Sequence, residues 1–534
     1  MHFTGGPSRH SYRKKLHLST GGEPALNKKR ALISVFDKTG SEKLAGVLQE
    51  MGWEIVSSSG TARYLQKAGI DVTEISDLTG YPHMLGGRVK TLHPAVFGGI
   101  LARRNLQEDL DDVERFEIPL IDMVVCNLYP FEKTARSGSS LEELIENIDI
   151  GGVTLIRAAA KNYQQVVILT DPGDYPVVME ELEAEGDVLT TTRQDLALKA
   201  FCLTSEYDSM IHTGISDSLG VQQEQMVNRI PLNLRMKLSL RYGENPHQEA
   251  GLYLPPLSDL PWEQLSGKPL SYNNILDLDC AMRGTAMMQD RTAALVIKHT
   301  TPCGMAYGKS PREAYERAFG CDPLSAFGGI VGITREIDMD AANAIAGNFT
   351  EVLLAPDYSE DALEFLRDKK PSLRILRWKG GRISPLHFTG TWSGMLIQED
   401  KTAPLPDPSK GEWIGKPRED LWEDLILAWK AACISKSNAV ALVKDGKAVG
   451  IGMGFCSRVF AVDFAVRQAG EQADGSVMAS DAFFPFPDGV EAAARAGVSA
   501  IIQPGGSVRD DLVFKRAEEL GISMFISHFR TFRH

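Results

Sequence analysis

Short apolar runs alternate with amphipathic helical patterns along most of the chain, and this alternation constrains the fold more than any other feature. In the first half, the apolar runs 31–36, 53–60, 121–130 and 166–170 are typical of buried strands, and segments such as 41–52 have helical periodicity. Strands that alternate with helices pack as a parallel sheet covered by those helices. The sequence therefore predicts an α/β fold for this half.

The second half repeats the alternation with more strands. Eight further runs have strand character, namely 295–299, 328–334, 350–356, 438–443, 447–454, 477–484, 500–506 and 523–527. Asp445 and Gly446 predict a hairpin between two of these runs, because Asp-Gly favours the tight turns that join antiparallel strands. We expect a mixed sheet in this half, built from two similar α/β sub-units.

The length of the chain, 534 residues, is too great for a single hydrophobic core. A helical pattern over 192–216 closes the first part, and the polar segment 217–234 is the best linker. The first residues are basic, rich in Gly and Ser and without periodicity, which indicates a poorly ordered extension. We predict an extension at 1–29, one domain at 30–225 and a second at 226–534, with sub-units at about 235–400 and 415–534.

The charge balance argues against polyanionic partners. Acidic residues number 70 and basic residues 57, a net charge of −13, so we expect neither nucleic acid nor membrane as a partner. No apolar run is long enough to span a bilayer. The seven cysteines have no regular spacing, which favours a reducing cytoplasm over a disulfide framework.

Two segments of the first half predict an anion site. The turn SSSGT (57–61) follows a strand and opens a helix, where backbone N–H groups and the helix dipole hold phosphates. In GGRVKTLHP, Arg88 and Lys90 alternate with Val89 and would share one face of an extended segment. Two cations so placed suit an anion, although Arg88 is equally interpreted as a surface charge.

Two further segments place polar side chains at strand and helix ends. Asn127 and Tyr129 end an apolar strand, where the active-site residues of open α/β sheets collect. Asp149 precedes a Gly-Gly turn and a helical pattern that ends at Lys161, which also suits a cation favoured by the helix dipole. Together these segments favour a site for a phosphorylated small molecule.

The stretch LVIKHTTPCGMAYG (295–308) places Lys298 beside His299 at the end of an apolar run. Adjacent side chains of a strand point to opposite faces, so both serve one pocket only if the strand stops there. We expect Pro302 and Gly304 to turn the chain at this point. The structural interpretation is a histidine that ends a strand beside a solvated lysine.

A catalytic metal is not expected at this stretch. Cys303 follows Pro302, as in zinc deaminases, but those enzymes need a second cysteine three positions later and an upstream H-x-E. Ala306 occupies the position of that cysteine, and no H-x-E precedes it. Two other classes of protein remain as alternative interpretations of the chain: a deaminase-like enzyme and a non-catalytic nucleotide-binding regulator.

Seven motifs in order give the chain a resemblance to a known family. They are DKTG, GGRVKTLHP, CNLYPF, DIGGVTLIRAAAKN, RYGENPHQ, KHTTPCG and SDAFFPF. With them, the chain from about residue 31 to 534 resembles the bifunctional AICAR transformylase/IMP cyclohydrolase family of purine biosynthesis. The resemblance implies an N-terminal methylglyoxal-synthase-like parallel-sheet domain and a C-terminal duplicated cytidine-deaminase-like α/β domain without zinc.

The same resemblance implies the chemistry and the partners. Formyl transfer from 10-formyltetrahydrofolate to AICAR would give FAICAR, and dehydrative ring closure of FAICAR would give IMP. The family forms a homodimer whose transformylase site is shared between the subunits. No catalytic metal is implied.

The resemblance also assigns site residues. For the cyclohydrolase it implies catalysis by Lys161, Tyr129 and Asp149, with substrate bound by Asp37, Lys38, Ser58, Ser59, Gly60, Thr61, Arg88, Lys90, Thr91 and Asn127. For the transformylase it implies catalysis by Lys298, His299 and Asn438, substrate binding by Arg241, Tyr242, Gly328, Glu351, Phe483, Asp488, Ser507 and Arg530, and folate binding by Arg458 and Val459. The chain departs from the usual bacterial pattern at Thr301, Phe455 and Phe460, where Asn, Gln and Asp are usual.

The chemistry of these residue types fits the implied reaction. The amine of AICAR is a weak nucleophile, so its proton needs a base, and histidine is the residue type that suits this proton shuttle, which favours His299. Lys298 would stabilise the developing oxyanion or protonate the leaving nitrogen, and Asn438 would donate to the formyl oxygen. The C-terminal HFRTFRH follows an apolar run, so we expect it to dock and to present Arg530 to the substrate phosphate.

Overall fold

The structure, a computed structural model, describes residues 28–82, 85, 88–221, 228–381, 386–402 and 404–534. The predicted extension falls outside these residues except for its last two, and the first strand begins at Arg30. The chain divides into two compact units, Met1–Asn233 and Leu234–His534. In the described part of the chain, no helix is both long enough and apolar enough to cross a membrane.

The N-terminal unit contains a five-stranded parallel sheet. Its strands are β1 (Arg30–Ser34), β2 (Glu54–Ser57), β3 (Val72–Glu74), β4 (Met123–Cys126) and β5 (Val167–Leu169). Their order is β3-β2-β1-β4-β5, and each pairs in parallel with its neighbours. The predicted parallel sheet is confirmed. From β1 the chain continues to β2 and β3 on one side of β1, and β4 then pairs with β1 on the other side. A crevice therefore opens beyond the carboxyl ends of β1 and β4.

The described residues of this unit form ten α-helices around the sheet. They are α1 (Ser41–Glu50), α2 (Ser59–Lys67), α3 (Ile75–Thr79), α4 (Pro94–Leu101), α5 (Gln107–Arg115), α6 (Phe131–Arg136), α7 (Leu141–Glu146), α8 (Gly151–Lys161), α9 (Tyr175–Glu185) and α10 (Thr190–Ser218). In α1, Leu44, Ala45 and Leu48 are fully buried, which is the helical spacing of a core-facing stripe. The long helix predicted over 192–216 is confirmed as α10.

The C-terminal unit contains a twelve-stranded mixed sheet and two short hairpins. The hairpins pair β6 (Arg235–Leu240) with β7 (Ala250–Leu254) and β14 (Leu386–Thr391) with β15 (Gly394–Glu399). The sheet contains β8 (Trp262–Ser266), β9 (Ala293–Lys298), β10 (Thr301–Tyr307), β11 (Gly329–Ile333), β12 (Thr350–Ala355), β13 (Arg374–Trp378), β16 (Glu412–Ile414), β17 (Val440–Lys444), β18 (Lys447–Gly452), β19 (Val477–Ser480), β20 (Ala500–Gln503) and β21 (Ser523–Ile526).

Helices pack on both faces of this sheet. They are α11 (Tyr272–Met287), α12 (Pro311–Phe319), α13 (Pro323–Ala326), α14 (Met339–Ala346), α15 (Glu360–Lys369), α16 (Trp422–Ile434), α17 (Arg458–Ala469), α18 (Asp488–Arg495) and α19 (Asp510–Glu519). In the first half, α12 and α14 pack on one apolar cluster, and in the second half α17 and α18 pack on another. On the other face of the sheet, α11 and α16 share a single cluster.

The order of the strands reveals an internal duplication. The order is β16-β21-β20-β19-β17-β18-β10-β9-β11-β12-β13-β8. Reading inward from either end gives one antiparallel edge strand, three parallel strands and then an antiparallel hairpin. The halves meet where β10 pairs with β18. The prediction of a mixed sheet with two similar halves is confirmed, as is the hairpin at Asp445 and Gly446.

The turn after Lys298 differs from the prediction. Lys298 pairs with Thr301, so the two residues between them, His299 and Thr300, form the turn of the β9–β10 hairpin. Pro302 and Gly304 do not turn the chain; they lie within β10, where the register shifts between them. The strand tolerates this proline because β10 pairs with β18 at Ala306, away from the end of the strand that contains Pro302.

The polar segments that follow or precede the strands of the C-terminal unit lie mainly at one edge of the twelve-stranded sheet. Because β9, β10, β18 and β17 are successive antiparallel neighbours, the end of β9, the end of β18 and the start of β17 lie together. The starts of β11, β12 and β13 and the ends of β19, β20 and β21 lie at this same edge. We term it the upper edge. The turn between β17 and β18 lies at the opposite, lower edge.

Candidate active sites

The crevice of the N-terminal unit is held in shape by Asn127. The Oδ1 atom of Asn127 accepts hydrogen bonds from the backbone N–H groups of Phe36 (2.6 Å) and Asp37 (3.0 Å), and its Nδ2 donates to the Asp37 carbonyl at 2.8 Å. These contacts join the loops that follow β1 and β4. The amide that the sequence assigned to substrate is therefore used to position the crevice.

Tyr129 and Asp149 face the same part of this crevice. Tyr129 is 46% exposed, and its ring meets the edge of Phe36 with centroids 5.6 Å apart. Burial raises the pKa of the Asp149 carboxyl, and backbone hydrogen bonds from Gly152 and Tyr129 and the positive charge of Lys90 oppose that rise. Burial and the negative charge of Asp149 also raise the pKa of Tyr129. The structure thus brings Tyr129, Asp149 and Lys90 together.

The Gly-Gly pair after Asp149 is required by close packing. The backbone N–H of Gly152 donates to Asp149 Oδ1 at 2.7 Å. A Cβ atom at Gly152 would lie 2.6 Å from Asp149 Oδ2 and 2.9 Å from Leu128 Cδ2. Any side chain at 152 would displace the carboxylate, so the glycine fixes where Asp149 points.

The start of α2 offers backbone donors to the crevice. Ser58 precedes the helix in an extended conformation and its side chain makes no capping hydrogen bond. A Cβ atom at Gly60 would meet nothing within 4 Å, so the helix begins against open space. Thr61, by contrast, is buried, and its hydroxyl accepts from Val35 N at 3.2 Å and donates to Val35 O at 2.9 Å. Ser58, Ser59 and Gly60 suit a phosphate, whereas Thr61 is structural.

The loop after β1 is ordered by its own side chains. Asp37 accepts from the Thr39 N–H (3.0 Å) and hydroxyl (2.7 Å), and these bonds lower the pKa of Asp37. Lys38 Nζ donates to the Phe36 carbonyl at 3.1 Å. Both side chains are at the mouth of the crevice, since this loop follows the carboxyl end of β1.

The cations of the next predicted segment differ in their surroundings. Arg88 forms an ion pair with Glu146, and both side chains are largely exposed. Lys90 is half-buried and Thr91 is buried beside Gly151, whose Cβ position lies 3.1 Å from the Thr91 hydroxyl. Lys90 and Thr91 therefore line the site closely, and Arg88 must exchange Glu146 for a ligand if it binds one.

Lys161 does not join this group within one chain. It is the last residue of α8 and is exposed, whereas Asp149 precedes the first residue of that helix. The helical rise from Gly151 to Lys161 alone is about 15 Å. Because α8 runs from the carboxyl edge of the sheet to its amino edge, Lys161 lies away from Asp149 of its own chain, and its role beside Tyr129 and Asp149 stays a prediction.

In the C-terminal unit, the β9–β10 turn presents Lys298 and His299. The Lys298 Nζ donates to the Phe327 carbonyl at 2.8 Å, and the His299 side chain is exposed. His299 and Thr300 both have left-handed backbones, with φ of 56° and 61°. The Asp277 carboxylate on α11 accepts from the Thr300 N–H at 2.5 Å. Sequence reasoning missed Asp277.

The neighbouring strands add Gly328 and Glu351 to the upper edge. Gly328 has φ of 74°, and its N–H donates to the Phe349 carbonyl at 2.8 Å. Glu351 Oε2 accepts from Asn274 Nδ2 at 2.9 Å and lies 3.6 Å from Arg374 Nη1. Burial raises the pKa of the Asp277 carboxyl, and the negative charge of Glu351 adds to that rise. Both predicted residues therefore lie beside the Lys298–His299 turn.

A cavity of about 370 Å³ lies farther along the upper edge. The predicted residues that line it are Asn438, Arg458, Val459, Phe483 and Asp488. Phe486 and Phe532 add apolar walls. A cavity that combines aromatic walls with polar groups suits a planar ligand that also carries hydrogen-bonding atoms. Its nearest backbone, at β17, is three strands from β9, which is about 14 Å along the sheet.

Arg458 is a structural residue of that cavity. Its guanidinium is buried and donates to Asn438 Oδ1 (2.7 Å), Ser480 Oγ (2.6 Å) and Asp481 Oδ1 (2.5 Å). Asp481 is fully buried. The guanidinium of Arg458 thus makes its hydrogen bonds within the fold, and the predicted folate contact of this residue stays a prediction. Its effect is to orient the amide of Asn438, whose Nδ2 donates to the Phe455 carbonyl at 2.8 Å.

The C-terminal segment is docked, as the sequence predicts. The Thr531 N–H donates to the Asp481 carbonyl, and the Ser437 N–H donates to the Arg533 carbonyl, both at 2.9 Å. Arg533 Nη1 donates to the Ile434 carbonyl, also at 2.9 Å. Arg530 is exposed and stacks on Phe532, 4.6 Å from the ring centroid. The segment thus holds Arg530 outward beside the cavity that Phe532 lines.

The remaining predicted residues lie on loops of the same unit. Arg241 stacks on Tyr242 at 5.4 Å, in a loop whose Glu244 carbonyl accepts from Asn273 Nδ2 at 3.4 Å. Ser507 follows β20, and its hydroxyl accepts from the Arg509 N–H at 3.2 Å. In the described residues, no three His, Cys, Asp or Glu side chains are grouped as a metal site.

Comparison with known proteins gives the family. A family described as "AICARFT/IMPCHase bienzyme" matches residues 159–468, and one described as "MGS-like domain" matches residues 40–154. The chain belongs to the AICAR transformylase/IMP cyclohydrolase family. It shares this membership with proteins called "Bifunctional purine biosynthesis protein PurH". That of Persephonella marina is 45% identical over 95% of this chain and 100% of its own length.

Other members of the AICAR transformylase/IMP cyclohydrolase family are similarly related. The PurH protein of Halalkalibacterium halodurans is 45% identical over 95% of this chain and 100% of its own. That of Bacillus subtilis is 44% identical over 95% of this chain and 99% of its own. A solved structure described as "Crystal structure of ForH" is 38% identical, covering 35% of this chain and 98% of its own with a TM-score of 0.32.

Proposed function

We propose that this chain carries out the last two steps of IMP biosynthesis at two separate sites. The upper edge of the C-terminal unit would transfer the formyl group to AICAR, and the crevice of the N-terminal unit would close the ring of FAICAR. Membership of the family over nearly the whole chain supports both activities. The deaminase-like and regulatory alternatives are not favoured.

For formyl transfer, we assign the proton work to His299. Its exposed ring lies at the tip of the β9–β10 hairpin, and an imidazole can take the proton of the AICAR amine near neutral pH. Lys298 lies one residue before it with Nζ held by the Phe327 carbonyl, and it would balance the negative charge that develops on the formyl oxygen. Asn438 would orient the donor, since Arg458 and Phe455 fix its amide plane.

The co-substrate of this step would be 10-formyltetrahydrofolate, bound in the cavity between α17 and the loop after β19. Phe483 and Phe486 offer stacking faces for a pterin ring, and Val459 lines the same cavity. Arg530, beside Phe532 at the cavity, would hold the AICAR phosphate. Gly328, Glu351, Asp488, Ser507, Arg241 and Tyr242 complete the proposed set.

For ring closure, we assign proton transfer to Tyr129, Asp149 and Lys90. Ring closure is intramolecular, so positioning of FAICAR supplies much of the rate. The half-buried Asp149 carboxylate, whose raised pKa makes it a better base, would accept a proton from the carboxamide side of the substrate. The α2 N-terminus with Lys38 and Arg88 would hold the phosphate.

We further propose a homodimer that completes the transformylase site. The β14–β15 hairpin exposes Trp392, Met395 and Leu396, a concentration of large apolar side chains that a partner surface would cover. The separation of about 14 Å between the Lys298–His299 turn and the cavity leaves room for groups from a second copy. Sedimentation of the parent and of Trp392→Ser tests this: the parent should sediment as a dimer, and a monomeric parent would contradict it.

A coupled assay tests the function itself. AICAR and 10-formyltetrahydrofolate are supplied together, and tetrahydrofolate release and IMP formation are followed in the same reaction. The proposal expects both products, and it expects His299→Ala to lose formyl transfer while still closing the ring of supplied FAICAR. Absence of both products from folded protein would exclude the proposal.

A further inference from the structure

The structure assigns Asp277 as the positioning residue of the transformylase turn. We infer that its carboxylate holds the backbone of His299 and Thr300 in the left-handed conformation that presents the His299 ring. This inference deepens the proposed function and rests on the assignment of His299 to formyl transfer.

The contacts are specific to the turn. Asp277 Oδ1 accepts from the Thr300 N–H at 2.5 Å, and the His299 N–H is the second backbone donor to the same carboxylate. Asp277 lies on α11 and is half-buried. A two-residue hairpin turn leaves these N–H groups without cross-strand partners, so an acceptor placed on the neighbouring helix satisfies both.

The turn needs this support because its residues disfavour it. Both central residues have φ near 60°, the conformation for which Asn, Asp and Gly are preferred in two-residue hairpin turns. Thr300 is none of these residue types and is branched at Cβ, which makes positive φ unfavourable for it. Such strain persists only when the surrounding structure fixes it, and it is concentrated at functional sites.

The internal duplication provides a built-in comparison. In the second half, the corresponding turn joins β17 to β18 at the lower edge, and its central residues are Asp445 and Gly446, with φ of 53° and 70°. Asp424 on α16 accepts from both N–H groups, at 2.8 and 2.7 Å. The aspartate and the turn are thus repeated, but the second copy has the residues that the conformation prefers.

The difference between the copies carries the inference. At the lower edge, Asp-Gly would form the turn with little help, so Asp424 adds only local stability. At the upper edge, the aspartate is also present, but the turn residues are His299 and Thr300 instead of Asp and Gly. Only the upper turn, therefore, depends on its aspartate for the direction of a reactive side chain.

Paired substitutions test this. Asp277→Ala should lower kcat of formyl transfer by about 100-fold, the size expected when a reacting group shifts by about 1 Å. The KM for AICAR should change less than about threefold, because the residues proposed to bind AICAR are untouched. Adding Thr300→Gly, which permits positive φ without strain, should restore at least about tenfold of the lost kcat.

Asp424→Ala is the matched control. It removes the same pair of hydrogen bonds from the copy of the turn at the other edge, so it should lower the melting temperature about as much while leaving formyl transfer unchanged. Equal losses of kcat in the two variants would overturn the inference, since the effect would then be general destabilisation. Asp277→Ala with kcat within threefold of the parent would overturn it as well.

The rescue variant and His299→Ala separate the remaining cases. Failure of Thr300→Gly to restore any kcat would overturn the inference, because Asp277 would then act other than through the turn. Full formyl transfer in His299→Ala would exclude the proposed function of that turn. An inactive His299→Ala together with a fully active Asp277→Ala would instead exclude only the positioning role of Asp277.

Discussion

At the scale of single residues, burial separates groups that hold the sites from groups that would act in them. Arg458 and Asp481 are buried and paired, whereas His299 and Arg530 are exposed and Tyr129 is nearly half exposed. The sequence cannot separate these classes, because an arginine in a functional motif has the same letter whether it touches a ligand or an aspartate. The positions of Tyr129 and Asp149 were predictable from strand ends, but the partners of Arg458 were not.

Arg458→Ala should destabilise the protein. Removing the guanidinium leaves the fully buried Asp481 without its charged partner, which costs about 3–5 kcal/mol of the free energy of unfolding. Urea denaturation measures this. Arg467→Ala removes an exposed arginine from the same helix and should change that free energy by less than about 0.5 kcal/mol.

The folate-contact interpretation makes the opposite prediction for Arg458→Ala. It expects unchanged stability and a higher KM for 10-formyltetrahydrofolate. That pair of results would contradict the structural role of the guanidinium.

Lys90→Met should move the pH dependence of ring closure. Burial holds the pKa of Asp149 above its ordinary range, and the charge of Lys90 draws it down. A rate that needs the carboxylate falls as the pH drops through this pKa, so removing the cation should move the acid limb of kcat/KM to higher pH. Profiles of the parent and variant give the shift.

Lys67→Met is the control for that shift. Lys67 lies in the last turn of α2, at the opposite end of the helix from the crevice, and its loss should leave the acid limb in place. An acid limb that moves to lower pH in Lys90→Met would have the wrong sign and would exclude an ionised Asp149 as the reactive form.

At the scale of elements, close contacts decide which substitutions a turn or helix tolerates. The alternation of apolar runs and helical patterns was sufficient to predict the strands of both units that carry the sites. It missed the turn at His299 and Thr300, because positive φ at two such residues is imposed by Asp277, from a helix that precedes β9 in the chain. The motif that contains Asp149 and Lys161 gives only their order along the chain, and the structure adds that α8 lies between them.

Gly152→Ala should separate the two activities. Its methyl group would lie 2.6 Å from Asp149 Oδ2, and the forced shift should cost about 1–3 kcal/mol and displace the carboxylate. Ring closure should therefore fall strongly while formyl transfer is kept. Gly46→Ala, in α1, is a matched helical control whose nearest neighbour is Ile70 Cδ1 at 3.9 Å.

The two activities of Gly152→Ala are assayed on the same preparation. Full ring closure in this variant would contradict the proposed role of the Asp149 carboxylate.

The C-terminal segment contains a natural pair of variants. Arg533→Ala removes the hydrogen bond to the Ile434 carbonyl and should lower the free energy of unfolding by about 1–3 kcal/mol. Arg530→Ala should leave stability unchanged and raise the KM for AICAR, because the exposed guanidinium is the proposed phosphate ligand. Denaturation and steady-state kinetics on both variants decide the matter; an unchanged KM in Arg530→Ala would contradict the assignment.

At the scale of the whole molecule, the two proposed reactions fall in two compact units of one chain. The parallel sheet of the first and the duplicated mixed sheet of the second were both predictable, since each follows from the spacing of apolar runs. The pairing of the two halves through β10 and β18 was not, because a single antiparallel contact leaves no trace in the sequence pattern.

Complementation between two single-site variants tests whether formyl transfer and ring closure occur at two independent sites. His299→Ala should make no FAICAR from AICAR, and Asp149→Asn should make FAICAR without converting it to IMP. A mixture of the two purified proteins, given AICAR and 10-formyltetrahydrofolate, is followed for IMP. We expect IMP to form only in the mixture, because FAICAR released by one protein is closed by the other. A mixture that makes no IMP, from variants shown to be folded, would contradict two independent sites.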